Sequence, residues 1–327
     1  MANAGEGRNP RRVVVGKIDL DTVGAAFLLG VTREDELVVV RGEASSEDLA
    51  DPNVICIEVG GSGQVTQNNW DHHAEDGPRI SATRQVAEKT SVTVCSCGAY
   101  HWWTPVDNDD TVLGECELYL AYIDPKDGKV SPVVTWLVGY INELDTKGPE
   151  ALRSGKVGFP TLSDVFAGML LTERDPAEQL HKGVEILREV VATGQDPWLT
   201  IAGFDAYAEA KRENNRAIAE AVEKAEWTTT QGGRKLAFLE TDFFGAPGAL
   251  YGAGAEVVVA FSPRFGNPPV AKFTVAGNGV SVKEAAPELN AREEGWGGPP
   301  TGTILGSPRT GSVMSLDEVV QIVKKTC

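Results

Sequence analysis

The chain has 327 residues, 42% apolar and 24% charged, which is enough for two domains that each bury a core. Its net charge of −17 excludes a broad basic face of the kind that grips long duplex nucleic acid, so a small partner is expected. No apolar run reaches the roughly 18 residues of a membrane span, the polar first eleven residues do not read as a signal peptide, and five irregularly spaced cysteines make no disulfide framework, so a soluble cytoplasmic protein is expected.

Arg12 to Asp19 (RVVVGKID) reads as a β-branched strand ending in acids, followed by the small-residue helix start TVGAAFLLG. Asp19 and Asp21 then sit at the carboxyl end of the strand, where open α/β sheets place their ligands. Asp21 has a second use as a helix cap, and Asp19 has none. Glu36 to Arg41 reads as the second strand, Ser45 to Ala50 as a short helix, and Asn53 to Val59 as the third strand. The spacing is that of βαβ crossovers, so three parallel strands are expected, with Glu58 on the same edge as Asp19 and Asp21. Carboxylates left together repel one another, and a bound cation removes the conflict.

Gly60, Gly61 and Gly63 make the next loop pliable, and Asp71-His72-His73 follows. The chain has only four histidines, so an adjacent pair behind an acid reads as metal chemistry: carboxylate oxygen, imidazole nitrogen and an adjustable loop lie close together. Ser81 to Lys89 reads as a helix. The segment at about 91–129, rich in β-formers, aromatics and turn signals, reads as inserted hairpins forming a wall or lid. Its Cys95, Cys97, His101 and Cys116 are candidate structural Zn2+ ligands, although their spacing matches no usual zinc signature and packed thiols explain them as well.

Ser131 to Leu144 reads as an apolar helix delivering Asp145 at its end, with Thr146 and Gly148 making the turn. Thr161 to Ala192 is helical in pattern, with Asp175-Pro176-x-Glu178 as an N-terminal signature. Thr193 to Pro197 reads as a linker, and Phe204 to Trp227 as a long charged helix joining two domains. From Gln231 a second α/β unit is expected, with strands over 235–241, 256–263 and 271–277 and helices near 246–254 and 281–289. The glycine-rich EEGWGGPPTGTILGSPRTGS precedes a last helix that Ser315-x-x-Glu318 opens as a capping box.

KIDLDTVGA, the strand-end acid of IEVGG, WDHH and INELDTKGP occur in the order of four motifs of the DHH phosphoesterase superfamily, which the first 150 residues resemble. Farther on, Gly297-Gly298 stands where the family's DHHA1 substrate domain carries Gly-Gly-His, with Pro299 in place of the histidine. The resemblance implies an α/β fold of two lobes with a cleft between them. The first is an N-terminal parallel-sheet DHH domain over 1–195, with the insertion at about 91–129, and the second a smaller C-terminal α/β substrate domain over 196–327.

It also implies metal-dependent hydrolysis of phosphoester bonds in small nucleotides or short single-stranded oligonucleotides, by water activated on one or two Mn2+ or Mg2+ ions. Asp21, Glu58, His72 and Asp145 would form the firmer metal site, and Asp19 with a shared Glu58 a second. Asp71 would orient His72, and His73 would contact the scissile phosphate or protonate the leaving oxygen. Gly297, Gly298, Ser307 and Arg309 would cradle the substrate. Neither long duplex nucleic acid nor a membrane is implied as a partner, and a homodimer is compatible with the reading. Val15 stands where many members have a histidine, and Glu58 where most have Asp. With Pro299, these departures also fit a nucleotide-binding or regulatory protein of weakened turnover, and the cysteine cluster fits a zinc-stabilised interaction module.

Overall fold

The computed structural model describes residues 9–40, 42–74, 76–90, 92–95, 100–101, 118–121, 131–147, 161–243, 245–266, 269–298, 302–308 and 310–327. The chain forms two compact units, Met1–Ala210 and Lys211–Cys327.

The first unit is built on β1 (Arg12–Val15), β2 (Glu36–Val39), β3 (Ile55–Ile57) and β4 (Asn69–Trp70), all parallel, in the order β2-β1-β3-β4. Four strands stand where three were expected, because β4 is too short to leave a period-two pattern in the sequence. Alternation assigns the two faces. Val13, Val15, Ile55 and Ile57 enter the main core, while Val14 and Cys56 pack with Ala44 and Val54 on the other side. The main core is closed by α1 (Leu20–Leu28), α3 (Ala82–Thr90), α4 (Pro132–Lys147), α5 (Leu162–Thr172) and α6 (Pro176–Thr193), while α2 (Ser46–Ala50) is the short connection into β3.

Gly24 lets α1 approach two of these helices. A Cβ there would lie 2.4 Å from Thr83 Oγ1 on α3 and 2.7 Å from Ile141 Cδ1 on α4. Asp175 caps α6 with Pro176 in its first turn, as the signature predicts, and Gly194 closes it at φ 71°. Beyond Gly194 the chain still packs into this core through Trp198, Ile201, Phe204 and Tyr207. The division into units therefore falls inside α7 (Asp205–Glu223), which is shorter than the helix expected over 204–227. The described part of the 91–129 segment is a small antiparallel sheet of β5 (Val92–Cys95), β6 (Tyr100–His101) and β7 (Leu118–Ala121), in the order β6-β5-β7. Cys97 and Cys116 lie outside the described residues, and with them the zinc expectation.

The second unit is a five-stranded mixed sheet, β12-β11-β10-β9-β8, of β8 (Glu226–Thr229), β9 (Lys235–Glu240), β10 (Val257–Phe265), β11 (Val270–Gly277) and β12 (Ile304–Gly306). Only β9 and β10 pair in parallel, joined by α8 (Ala246–Gly252). One sheet face packs Leu236, Val257, Phe273 and Val275 against α9 (Ala286–Arg292) and α10 (Leu316–Thr326), and the other packs Ala237, Leu239 and Val258 against Ala246 and Leu250. The capping box of Ser315 and Glu318 forms as read. Among the described residues no helix is long and apolar enough to cross a membrane.

Candidate metal centre

Parallel strands end on one edge of their sheet, and the acids follow from that. Glu58 comes directly after β3 and Asp71 directly after β4. Glu58 has φ 59°, in the left-handed region that costs a non-glycine residue on the order of 1 kcal/mol. Its N–H is still held in the sheet, donating to the Trp70 carbonyl at 3.0 Å. The turned backbone presents the carboxyl to the two histidines. Glu58 Oε1 lies 3.4 Å from His72 Nε2 and Glu58 Oε2 3.6 Å from His73 Nδ1, while Asp145 Oδ2 reaches His72 Nε2 at 3.1 Å. Glu58 Oε1, His72 Nε2 and Asp145 Oδ2 are all buried, the nitrogen at ion-pair distance from both oxygens, and without a hydrogen-bond partner.

Two sets of donor atoms result, Glu58–His72–His73 and Asp21–His72–Asp145, with all atoms of a set within 4.8 Å of one another. The residue common to both is His72, where Glu58 was expected to be shared. Burial first, and then the charges of Asp21, Asp19, Asp145 and Asp71, push the Glu58 carboxyl up to about 10. Burial likewise raises Asp21. The nearby Asp145 carboxylate raises His72 against the opposing effect of burial. Carboxylate oxygens and an imidazole nitrogen buried together without hydrogen-bond partners are donors that could hold a divalent cation, and the residues present fit such an ion.

Asp21 is also a helix cap, but of α3. Its Oδ2 accepts the Ala82 N–H at 2.7 Å and its Oδ1 the Thr83 N–H at 2.9 Å. Each oxygen keeps a lone pair for an ion. The cap of α1 is Asp19, which accepts the Thr22 N–H at 3.0 Å and pairs with Lys17 at 3.1 Å. This corrects the expectation that Asp19 has no structural use: the helix begins at Leu20, so position 19 is the N-cap. Asp19 belongs to neither donor set. Asp145 lies within the last turn of α4, which continues through Lys147, whereas a turn was expected at Thr146. Val15 is fully buried in the core and offers no donor.

Asp71 was expected to orient His72. Its hydrogen bonds go to Gly60 N (2.9 Å), the Ser62 hydroxyl (2.5 Å) and His73 N (2.7 Å), so it organises the glycine loop. Burial acts to raise this carboxyl, but those donors and the His73 ring hold it well below the usual range. The His73 imidazole, 3.6 Å from Asp71 Oδ1, is raised in turn by that carboxylate, and its side chain is 63% exposed.

The fold itself has a counterpart. The chain is similar in structure to the pGpG-specific phosphodiesterase PggH from Vibrio cholerae, with a TM-score of 0.50 and 13% sequence identity over 96% of this chain and 99% of that one. That likeness shows a shared fold. The DHH domain of a member of a ribosomal-protein family also matches, at TM-score 0.38 and 12% identity, over 96% of this chain and 86% of that one. No protein-family model and no curated protein matches the sequence.

The residues read as a substrate cradle have structural uses within the second unit. Gly297 pairs with Gly306 as a β-bridge, each N–H donating to the other's carbonyl at 3.1 and 2.7 Å, so the Gly297 amide is engaged. At Gly298 a Cβ would lie 1.8 Å from the Ile304 carbonyl oxygen, so close backbone approach accounts for the glycine. Ser307 is buried, its hydroxyl accepting the Phe273 N–H at 2.9 Å. Arg309 and Pro299 lie outside the described residues.

Sequence reasoning missed several supporting side chains. Asn142 accepts the Ser81 N–H at 3.0 Å, and Thr83 donates to the Asp21 carbonyl at 2.8 Å. Asn142 was accessible from spacing, since three residues before Asp145 on a helix is the same face.

Proposed function

We propose that the protein is a metal-dependent phosphoesterase acting on small nucleotides or short oligonucleotides. The observation that carries the reading is the meeting of Glu58 Oε1, His72 Nε2 and Asp145 Oδ2, three buried polar atoms from three separate segments, with no hydrogen-bond partner among them. Glu58, His72, Asp145 and Asp21 would hold one or two Mn2+ or Mg2+ ions. When bound, such an ion acts as a Lewis acid on a phosphoryl oxygen and brings the pKa of water toward neutrality.

The chain supplies the rest. Asp71 fixes the His73 backbone and keeps its exposed imidazole protonated to a higher pH than an isolated histidine. His73 is thereby suited to donate a hydrogen bond to the substrate phosphate or a proton to the leaving oxygen. The charge of −17 favours a short substrate over a long polyanion.

The test is hydrolysis of a generic phosphodiester, of short RNA and of pGpG, the substrate named for the similar Vibrio protein, with added Mn2+. Wild type is expected to exceed His72→Ala and Asp145→Ala by roughly 100-fold or more. A wild type no faster than these variants across the panel overturns the hydrolase reading. If nucleotides still raised its melting temperature, a regulatory binding protein would take its place.

A further inference from the structure

We infer that Ser62 is a positioning residue that, through Asp71, fixes the metal ligands from β3 and β4 relative to one another. The inference rests on the metal-dependent reading above. Ser62 is the only residue of the loop 60–63 that carries a side chain, and Gly60, Gly61 and Gly63 around it all have positive φ, at 104°, 71° and 75°. A side chain at Gly61 would meet Asn69 Nδ2 at 2.7 Å. The loop is thus curled to deliver one hydroxyl.

That hydroxyl works in both directions. It donates to Asp71 Oδ1 at 2.5 Å and accepts the Ala74 N–H at 3.1 Å. Asp71 Oδ1 accepts the His73 N–H as well, and Oδ2 accepts the Gly60 N–H. The Asp71 carbonyl receives the Gln85 side-chain amide at 3.2 Å and the Gly63 N–H at 3.4 Å. The backbone on both sides of His72 is therefore tied down, and the ties lead to a loop that starts two residues after Glu58. Without the Ser62 hydroxyl, Ala74 N–H and one acceptor position on Asp71 lose their common partner, and beyond the strand pairing that ends at the Glu58 N–H and the Trp70 carbonyl the two segments are tied through the Gly60 and Gly63 N–H groups.

Ser62 is half-buried, and its removal is expected to act on geometry more than on folding. Calorimetric Mn2+ titration of the full chain, beside the melting temperature of the metal-free protein, separates the two. Ser62→Ala is expected to weaken Mn2+ binding about 10-fold and to lower kcat with KM little changed, while the metal-free melting temperature stays near that of wild type. Ser62→Thr, which keeps the hydroxyl, is expected to restore most of the affinity. Wild-type affinity in Ser62→Ala overturns the inference, and so does an equal loss in Ser62→Ala and Ser62→Thr. A wild type that binds no Mn2+ overturns the metal reading and this inference together. His72→Ala serves as the control in which binding fails while Ser62 is intact.

Discussion

Around the Glu58 carboxyl stand Asp21, Asp19, Asp145 and Asp71, and this crowding has a sign that can be tested in the metal-free protein. The group's ordinary pKa is 4.5 and its value in the fold is about 10. Between these limits the folded chain holds a proton that the unfolded chain has released, so this group's contribution to stability falls as pH rises through that window. Glu58→Gln keeps the shape and removes the charge. It is expected to raise the metal-free melting temperature above neutral pH by on the order of 5 °C, to flatten the fall with pH, and to abolish the further rise that Mn2+ gives wild type; calorimetric scans with and without the metal check all three. An unchanged metal-free melting temperature would mean that the acids do not destabilise the fold. At this scale the sequence was most legible where chemistry is rare: acids at strand ends and an adjacent histidine pair. Ser62 was invisible, because a serine between glycines reads as solvated loop until its hydroxyl is seen between Asp71 and Ala74.

Helix α1 depends on Gly24, where a Cβ would overlap Thr83 and Ile141. Gly24→Ala is expected to cost about 2 kcal/mol in urea unfolding and to weaken Mn2+ binding, because α3 and α4 carry the Asp21 partner and Asp145. A second element-scale prediction concerns the start of β2. Burial acts to raise the Asp35 carboxyl, but the Arg11 guanidinium at 2.9 Å, with backbone N–H groups of Arg11 and Thr32 at 3.0 Å each, holds it well below the usual range. A depressed carboxyl contributes its full stability above its ordinary pKa and loses it as pH falls through the folded value. Asp35→Asn is expected to lose about 2 kcal/mol near neutral pH and to make the acid limb of a pH-stability curve shallower. The long elements of both units could be read from the chain, since their patterns extend over several residues. Three features could not: β4 has only two residues, β8 lies where a helix was expected to continue to Trp227, and β12 is three residues in a glycine-rich run. The capping of α3 by Asp21 was hidden for another reason. A cap on a neighbouring helix depends on packing, and local sequence carries no record of it.

For the molecule as a whole, the charge of −17 sets how anions arrive. Repulsion between like charges weakens as salt screens it. The second-order rate constant kcat/KM for a small anionic substrate is therefore expected to rise from low to physiological ionic strength, opposite to the fall seen where a basic surface steers an anion. Steady-state kinetics over a salt series decide the matter, and a steep fall would overturn the argument from net charge. The donors of the candidate centre also bear on time. Asp21, Glu58, His72 and Asp145 are far apart along the chain, and they meet only when the parallel strands have paired and α4 has docked. Contacts of such long sequence separation form late, after the loop closures that precede them. A cation held by them would then leave the rate of folding almost untouched and act on the rate of unfolding, so the protein would carry in its lifetime, more than in its assembly, the mark of the ion it binds.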